Sequence, residues 1–409
     1  MNVKRALHSK YRFLALIWFC LTVGEWAVLA QSHRPSEEQR DRGDAFALSR
    51  VEVDHAIALA TDYLERACGT DGKFLYEVQI GSGRESSSYD IIRHEGAMYA
   101  LSMTNRYHSD PKIVDTMVRA AGFLRQNYVG VGVRPDQLAV WSKPLGETPD
   151  RQYAELGGTA LGLVALAATR EVDPRSVPLA DLQALARFVL FLQREDGGFI
   201  HKYRMQGGAE PKFTSLYYPG EAALGLIALY EIDHSSQWLV AAAKALSYLA
   251  KSRVGLTTVP ADHWALIATA KLFPYVDQVK SVVSRDELIE HATQVCNSIL
   301  REQFKGGAAA GLDGAFDAEG RTAPAATRLE ALLAALEFLP NGEIRGRIEK
   351  PVEHGVSFLV RLQVVSGQQA GGMPGALATR AHDSSEIRID YVQHALCAWI
   401  RYQSLFVAS

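Results

Sequence analysis

Cysteine is scarce in this chain, with 4 among 409 residues. Cys20 falls inside an apolar stretch near the N-terminus, which leaves Cys68, Cys296 and Cys397 for the rest of the protein. These three are an odd number, and none of them stands in a C-x-x-C spacing. The shortage excludes a disulfide framework and argues against a zinc site built from cysteine.

A strong charge of either sign is also lacking. The formal net charge is -3, with 22% charged and 48% hydrophobic residues. Such a balance is typical of a globular protein and provides no long-range attraction for nucleic acid or for an anionic membrane surface. We therefore expect no nucleic-acid partner.

The N-terminus lacks a hydrophobic run long enough to cross a bilayer comfortably, because the apolar stretch from Phe13 to Gly24 is short and Glu25 follows it. Basic residues precede this stretch, and small residues end it before Gln31. We predict that residues 1–30 are an export signal, that residues 31–50 are a flexible leader, and that the protein is periplasmic or secreted. No stable membrane insertion is expected after cleavage, although an uncleaved anchor is the alternative.

Beyond residue 50 the hydrophobic pattern is helical almost throughout, and its segments alternate between two kinds. The first kind carries a charged face: Val51 to Ala67, Pro111 to Tyr128, Leu179 to Gln193, Ser236 to Ser252, Arg285 to Gln303 and Ile348 to Gln363. The second kind is apolar nearly all round and rich in Ala and Gly: Tyr89 to Arg106, Glu155 to Thr169, Pro219 to Glu231, Ala261 to Phe273, Pro324 to Leu339 and Arg388 to Phe406. A helix without a polar face must be enclosed by others, so the second kind is expected to form an inner ring.

A second repeat lies in the loops, where a glycine-rich turn follows four of the outer helices, at residues 70–74, 195–199, 305–307 and 369–372. Glycine there permits the positive φ that ends a helix. Six outer and six inner helices in strict alternation predict an all-α fold, an (α/α)6 toroid of six helical hairpins, as a single domain over residues 51–409. A linear solenoid is the competing architecture.

The turn Gln193-Arg194-Glu195-Asp196-Gly197-Gly198-Phe199 resembles the Q-x-x-D-G-G-[FW] motif of terpene cyclases and protein prenyltransferases. The resemblance implies an α/α toroid but not the chemistry, because the sequence shows neither the D-x-D-D motif of the cyclases nor the Asp-Cys-His zinc site of the transferases. The overall plan is also similar to that of six-hairpin glycosidases and of the sugar epimerases and lyases that share this toroid. This second likeness concerns architecture and rests on no family motif.

Ionisable and aromatic residues are concentrated at the start of each inner helix, and parallel inner helices would bring all six starts to one mouth. Residues three and four apart share a helix face, which gives three sets: Asp90, Arg93 and His94; Tyr218 and Glu221; Tyr391 and His394. The candidate catalytic residues are Asp90, His94, Glu155, Glu221 and Asp262. The candidate substrate-binding residues are Arg93, Tyr218, His263, Trp264, Arg328, Asp390, Tyr391 and His394.

Each of these residues also has a structural interpretation. Acidic residues at helix starts are common caps, and aromatic side chains there are common core packing. A cation in the first turn opposes the helix dipole, which favours a partner or a ligand, and an ion pair of Arg93 with Asp390 is the structural alternative. His94, His263 and His394 with an aspartate could build a metal site, but without H-x-x-x-H or H-x-H spacing the sequence predicts no metal and no cofactor.

Export, carboxylates and aromatic side chains at one mouth favour an enzyme that acts on an envelope-derived saccharide. A glycoside hydrolase acting on a polysaccharide, with one protonated and one ionised carboxyl, is the first expectation. A uronate lyase or epimerase would instead move the C5 proton with His or Tyr, and Arg93 or Arg328 would neutralise the substrate carboxylate. A non-catalytic glycan-binding protein of envelope polysaccharide synthesis or export is the third possibility. Residues 81–88, 130–153, 207–216 and 308–323 are expected to overhang the mouth and to set specificity.

Overall fold

The structure is a computed structural model that describes residues 48–146, 152–304, 311–377 and 385–406. From Leu48 onward the chain forms one compact unit. The predicted export signal lies outside the described residues, as does nearly all of the leader, so both stay predictions. In the described part, no helix combines the length and the apolarity that crossing a membrane requires.

Twelve α-helices of the described part alternate between an outer and an inner ring. The outer helices are α1 (Arg50–Ala67), α3 (Pro111–Asn127), α5 (Leu179–Leu192), α7 (Ser236–Arg253), α9 (Arg285–Glu302) and α11 (Glu343–Leu362). The inner helices are α2 (Ile91–Tyr107), α4 (Leu156–Val172), α6 (Tyr218–Asp233), α8 (His263–Leu272), α10 (Thr322–Leu336) and α12 (Ile389–Phe406). A 3₁₀ helix, Phe273–Val279, extends α8. The predicted helices are confirmed, although α11 begins at Glu343 rather than at Ile348, because its charged first turns carry no hydrophobic period.

The ring is closed. Each inner helix packs against its two inner neighbours, and α12 contacts α2 as well as α10. At the same seam the amide of Gln403 donates to the carbonyl of Arg50 at 2.8 Å and to the carboxylate of Asp54 at 2.9 Å. A linear solenoid would leave its first and last helices apart, so the (α/α)6 toroid is confirmed.

Small residues set the spacing of the inner helices. In α4 the side chains from Leu156 to Thr169 are all buried, and the helix touches α2 on one side and α6 on the other. A Cβ atom at Gly225 of α6 would lie 2.7 Å from the carbonyl oxygen of Ala160 in α4. Only glycine permits this approach, which explains the Ala and Gly content of the inner helices.

Within the described residues, seven short strands lie in the connections that run from an outer to an inner helix. They are β1 (Glu77–Gln79), β2 (Val129–Val131), β3 (Leu138–Val140), β4 (Tyr153–Glu155), β5 (Lys202–Arg204), β6 (Gly208–Ala209) and β7 (Glu386–Arg388). The antiparallel pair β1–β7 places Glu77 opposite Arg388 and joins the first connection to the last. The ribbons therefore surround the face on which the inner helices begin.

Turns after the outer helices fasten each one to the next. Gly197 has φ 90°, and a Cβ atom there would lie 2.4 Å from the carbonyl oxygen of Lys244 in α7. The amide of Gln193 donates to Ala241 of the same helix at 2.9 Å. The predicted turn at 305–307 falls outside the described residues, and the glycine that fills this role after α9 is Gly314, with φ 88° and a Cβ position 2.1 Å from the carbonyl oxygen of His354.

Ion pairs ring the opposite face, where the inner helices end. They join neighbouring helices two by two: Arg106 to Glu171 at 2.7 Å, Lys271 to Glu231 at 2.7 Å, and Arg401 to Glu337. Between them opens a cavity of about 610 Å³ whose walls combine aliphatic side chains with the charged groups of these ion pairs. The ion pairs around this face distinguish it from the mouth at which the inner helices begin.

Candidate active site

A cavity of about 380 Å³ opens where the inner helices begin. The first turns of α2, α6, α8, α10 and α12 line it, together with Leu161 of α4, so the starts of these helices converge on one mouth. Among the predicted site residues, the lining contains Asp90, Arg93, Tyr218, Glu221, His263, Trp264, Arg328, Asp390 and His394. Their catalytic and binding roles stay predictions.

Two imidazoles face each other in this cavity and share one carboxylate. The rings of His263 on α8 and His394 on α12 stand edge to face with their centres 5.2 Å apart. Nδ1 of His394 lies 3.2 Å from Oε2 of Glu330 on α10, and Nε2 of His263 lies 3.8 Å from the same oxygen. Three neighbouring inner helices thus each contribute one ionisable group.

His263 is buried and is free of hydrogen bonds. Neither of its ring nitrogens has a partner within the described structure, and Oε1 of Glu330 also has none. Burial, followed by the charges of His394 and Arg328, holds the pKa of His263 well below its ordinary value. His263 is therefore a neutral imidazole at neutral pH, with a lone pair available to accept a proton.

Glu221 is a second buried group in the cavity wall, with no partner for its Oε2 among the described atoms. Burial raises its pKa to about 8, assisted by the negative charges of Asp262, Glu155 and Asp90. A Cβ atom at Gly157 of α4 would lie 2.4 Å from this oxygen, so only glycine leaves room for the carboxyl. Near neutral pH Glu221 is mostly protonated.

Glu95 is a further carboxyl within the inner ring. It is completely buried, and neither of its oxygens has a partner in the described part of the chain. Burial, then the charges of Glu221 and Asp90, raises its pKa well above the usual value. Gly162 of α4 faces it, with a Cβ position 2.7 Å from Oε1. Glu95 is therefore a neutral acid at physiological pH.

The arginines of the cavity wall are matched by carboxylates. Arg93 donates to Asp90 at 2.8 Å and to Asp390 at 3.1 Å, so the ion pair considered as a structural alternative is present. Arg328 donates to Glu302 at 2.5 Å. Burial alone would raise the pKa of Asp390, but hydrogen bonds from Arg388 and the charges of Arg388 and Arg93 hold it below its ordinary value.

His94 is the clearest departure from the predicted site. Its side chain is completely buried outside the cavity, where Nδ1 lies 2.8 Å from the hydroxyl of Tyr89 and Nε2 lies 3.1 Å from the carbonyl oxygen of Ala120. The rings of Phe74 and Phe123 pack on it. Burial lowers the pKa of His94 to about 4. Successive helical residues point about 100° apart, so Arg93 faces the cavity while His94 faces the outer helix α3.

Asp262 caps helix α8 and does not line the cavity. It accepts a hydrogen bond from the backbone N–H of Ala265 at 3.1 Å, which caps α8, and another from Arg253 at 2.6 Å. Burial nevertheless raises its pKa, against the opposing charge of Arg253. Asp262 is completely buried, and its catalytic role stays a prediction.

Glu155 and Tyr391 lie beside the main cavity. Glu155 accepts a hydrogen bond from the hydroxyl of Tyr218 at 2.7 Å, pairs with Lys202 at 3.5 Å, and lines a smaller cavity of about 180 Å³ together with Asp90. Tyr391 stacks on the guanidinium of Arg388 and is largely buried. Of the two neighbouring residues of α12 that were predicted to bind substrate, Asp390 lines the main cavity and Tyr391 does not.

Sequence reasoning missed Glu330 and Glu95 as site residues. Both are buried carboxyls on inner helices, and in each helix a mainly apolar stretch follows the glutamate. Isolated carboxyls of this kind are rare in a core and usually have a function. The two glutamates are visible in the sequence, but the prediction considered only charged residues at the starts of the inner helices.

The closed ring of helical hairpins, with ionisable groups at one mouth, places the protein among the α/α toroids. No protein-family model matches the chain, and no curated protein matches it. Solved structures do match. A sugar epimerase from a ruminal bacterium aligns with a TM-score of 0.64 and 12% identity over 87% of this chain and 99% of that one.

Two further solved structures show the same architecture. The cellobiose 2-epimerase from Spirochaeta thermophila aligns with a TM-score of 0.63 and 12% identity over 87% of this chain and 97% of that one. The GH76 alpha-mannanase from Bacteroides thetaiotaomicron aligns with a TM-score of 0.59 and 13% identity over 87% of this chain and 99% of that one. At such identities the likeness establishes the six-hairpin toroid, and function must be argued from the site.

Proposed function

We propose that the protein is a saccharide-processing enzyme that moves a proton at the carbon next to a sugar carbonyl, as an epimerase or an isomerase does. The observation that carries this proposal is the pair of facing imidazoles, His263 and His394, with Glu330 between them. Two of the structural neighbours named above are called epimerases, which agrees with this choice.

The reaction needs one base and one acid on the two sides of a planar intermediate. Neutral His263 removes the proton from C2 of an open-chain aldose. The electron pair of the C–H bond forms a C1–C2 double bond, and the carbonyl pair moves onto O1 to give an enediolate. His394, whose Nδ1 lies 3.2 Å from Glu330 Oε2, acts as the acid. It gives a proton to C2, which forms the epimer, or to C1, which forms the ketose once the O2 hydroxyl proton has passed to O1. One proton leaves and one arrives, and exchange with solvent resets the two rings.

A neutral sugar is the substrate class that the charges favour. Each arginine of the cavity wall already has a carboxylate partner, as Arg93 has in Asp390 and Arg328 has in Glu302. A uronate would bring an extra negative charge without a free cation to receive it, and unpaired buried charge is costly. The carboxylate-neutralising role expected of Arg93 and Arg328 is therefore not part of the proposal.

The test is proton exchange in D2O with the full-length protein and a panel of neutral aldoses and reducing disaccharides. We expect deuterium at C2 and a new epimer or ketose by NMR, with the rate reduced at least about 100-fold in His263→Asn and in His394→Asn. His108→Asn, which alters an exposed histidine, is the matched control. A protein that binds these sugars but exchanges no C2 proton would contradict the proposal.

Glycoside hydrolysis is the second candidate, and Glu221 is the observation that favours it. A carboxyl with a pKa of about 8 suits the general acid of a hydrolase. Asp390 lines the same cavity and has a lowered pKa, but hydrogen bonds from Arg388 and Arg93 already occupy its oxygens. New reducing ends from a polysaccharide, lost in Glu221→Gln, would favour hydrolysis over proton transfer. Glycan binding without either activity would favour an accessory protein.

We also propose that the protein is exported, to the periplasm or beyond. The support is in the sequence: basic residues, the apolar stretch from Phe13 to Gly24, and small residues before Gln31. Mass spectrometry of the protein from fractionated cells should find a mature N-terminus at Gln31 outside the cytoplasm. An uncleaved chain in the cytoplasmic fraction would contradict export.

A further inference from the structure

We propose that His263, Glu330 and His394 also form a binding site for Zn²⁺, and that Zn²⁺ at this site blocks the proton transfer. Binding of the metal stands on the geometry of the three side chains alone. The block rests on the proposed function, because it follows from the ion occupying the same lone pairs that accept protons.

The distances between the three donor atoms are close to those that zinc requires. One nitrogen of each imidazole and one carboxylate oxygen of Glu330 all lie within 4.8 Å of one another. The separation from Glu330 Oε2 is 3.2 Å to His394 Nδ1 and 3.8 Å to His263 Nε2. Tetrahedral Zn²⁺ with bonds of about 2.0–2.1 Å places its donor atoms about 3.3 Å apart. Side-chain rotations that bring the more distant donor atoms from up to 4.8 Å to this spacing complete the site.

Unpartnered buried atoms provide the second, independent observation. His263 is 1% exposed with both ring nitrogens unbonded, and Glu330 is 0% exposed with Oε1 unbonded, in a region where the structure describes every neighbouring helix. Buried polar atoms nearly always have a partner, and each exception calls for a ligand or another explanation. A bound cation would give one of the two unbonded nitrogens of His263 a partner and would hold the carboxyl of Glu330 at the same time.

The donor set selects the kind of metal. Two imidazole nitrogens and one carboxylate oxygen, with a fourth position facing the cavity, are the ligands that zinc takes in open sites. Mg²⁺ and Ca²⁺ prefer oxygen donors only. His263 and His394 both line the mouth cavity, so an ion has a path from solvent. The sequence hypothesis had His94 and an aspartate in this set, whereas Glu330 takes their place.

The binding experiment uses full-length protein stripped of metal with a chelator and titrated with ZnCl2 by calorimetry. We expect saturation at one ion per chain, and binding weakened at least about 100-fold in His263→Asn, His394→Asn and Glu330→Gln. His108→Asn should bind like the wild type, and MgCl2 should give no heat. Circular dichroism of each variant checks that it is folded. No zinc binding by the wild type, or unchanged binding by all three folded variants, would overturn the site.

The block is tested in the C2-exchange assay with one equivalent of Zn²⁺. We expect the exchange rate to fall at least about 10-fold and to recover when EDTA removes the ion. Undiminished exchange with the site filled would overturn the block while leaving the binding result intact. If no sugar shows exchange even without metal, the proposed function fails, and calorimetry still decides the metal site by itself.

Discussion

Glu221 shows how the closed ring changes the chemistry of a single residue. On an exposed helix start its carboxyl would be ionised at neutral pH, but here burial raises the pKa from the usual 4.5 to about 8. Between these two values the folded protein holds a proton that the unfolded chain has lost. The stabilisation by protonated Glu221 is therefore complete below the unfolded pKa and disappears as the pH rises through about 8.

We expect the wild type to lose roughly 4 kcal/mol of unfolding free energy relative to Glu221→Gln between pH 5 and pH 9, from about 3 pH units at 1.36 kcal/mol each. Urea unfolding of both proteins at pH 5, 7 and 9 measures the difference. Glu290→Gln, at an exposed position of α9, is the control and should follow the wild type. Parallel pH profiles for wild type and Glu221→Gln would contradict the raised pKa.

His94 leads to a prediction about stability rather than catalysis. His94→Ala would leave the hydroxyl of Tyr89 and the carbonyl of Ala120 without their buried partner. We expect a loss of about 2–4 kcal/mol in unfolding free energy, with kcat/KM per folded molecule unchanged. Chemical unfolding and sugar turnover measure the two quantities, and a folded variant with abolished turnover would show that His94 does act in the reaction.

The sequence allowed part of the site to be predicted, and the limit was helix rotation. Charged residues at the starts of inner helices identified Arg93, Glu221 and His394, because chain alternation alone brings those starts together. Spacing of three or four residues could not separate the inward Arg93 from the outward His94, since that depends on how each helix is rotated in the ring. To predict that Glu330 belongs to the site, one must know which helices are neighbours, and the sequence of a single helix does not contain that information.

The glycine turns are the element that holds the outer ring. After α5, Gly197 adopts a left-handed φ, and its α-carbon lies against the backbone of α7. The same arrangement after α11 places Gly371 against Leu59 of α1. Helix periodicity and the glycine turns are both features that nearby residues determine, so the sequence sufficed to predict the twelve helices. The β1–β7 ribbon was not predictable, because its two strands come from opposite ends of the domain.

Gly197→Ala should destabilise the protein strongly, because alanine disfavours φ of 90° and its Cβ would lie 2.4 Å from the carbonyl of Lys244. We expect a loss of at least about 2 kcal/mol. Gly122→Ala is the matched control, since Gly122 lies within α3 with nothing near its Cβ position, and it should gain up to about 1 kcal/mol. Thermal unfolding of the two variants compares them, and equal melting temperatures would contradict the role of the turn.

For the whole molecule, closure makes the last hairpin as necessary as the first. α12 packs against both α10 and α2, so removing it uncovers apolar faces at two places. A solenoid that loses its terminal repeat loses only one interface and keeps folding. The toroid is therefore expected to unfold as a unit.

A chain that stops after Leu339 and lacks α11 and α12 should be unfolded or aggregated, whereas a circular permutant should fold. The permutant joins the end of α12 to the start of α1 through a short linker and opens the chain between Gly207 and Gly208, in the turn of the β5–β6 hairpin. Circular dichroism and cooperative melting distinguish the two proteins. A truncated chain that melts cooperatively would contradict the need for closure.

The ion pairs at the far mouth have a consequence for how the working mouth adapts. They connect α2 with α4, α6 with α8, and α10 with α12. Glu330 and His394 therefore stand on two helices that one of these ion pairs joins, whereas His263 stands on α8, whose ion pair runs to α6. Of the two distances from Glu330 to the imidazoles, the one to His263 is the longer, and it is the one that we expect a bound substrate or ion to change.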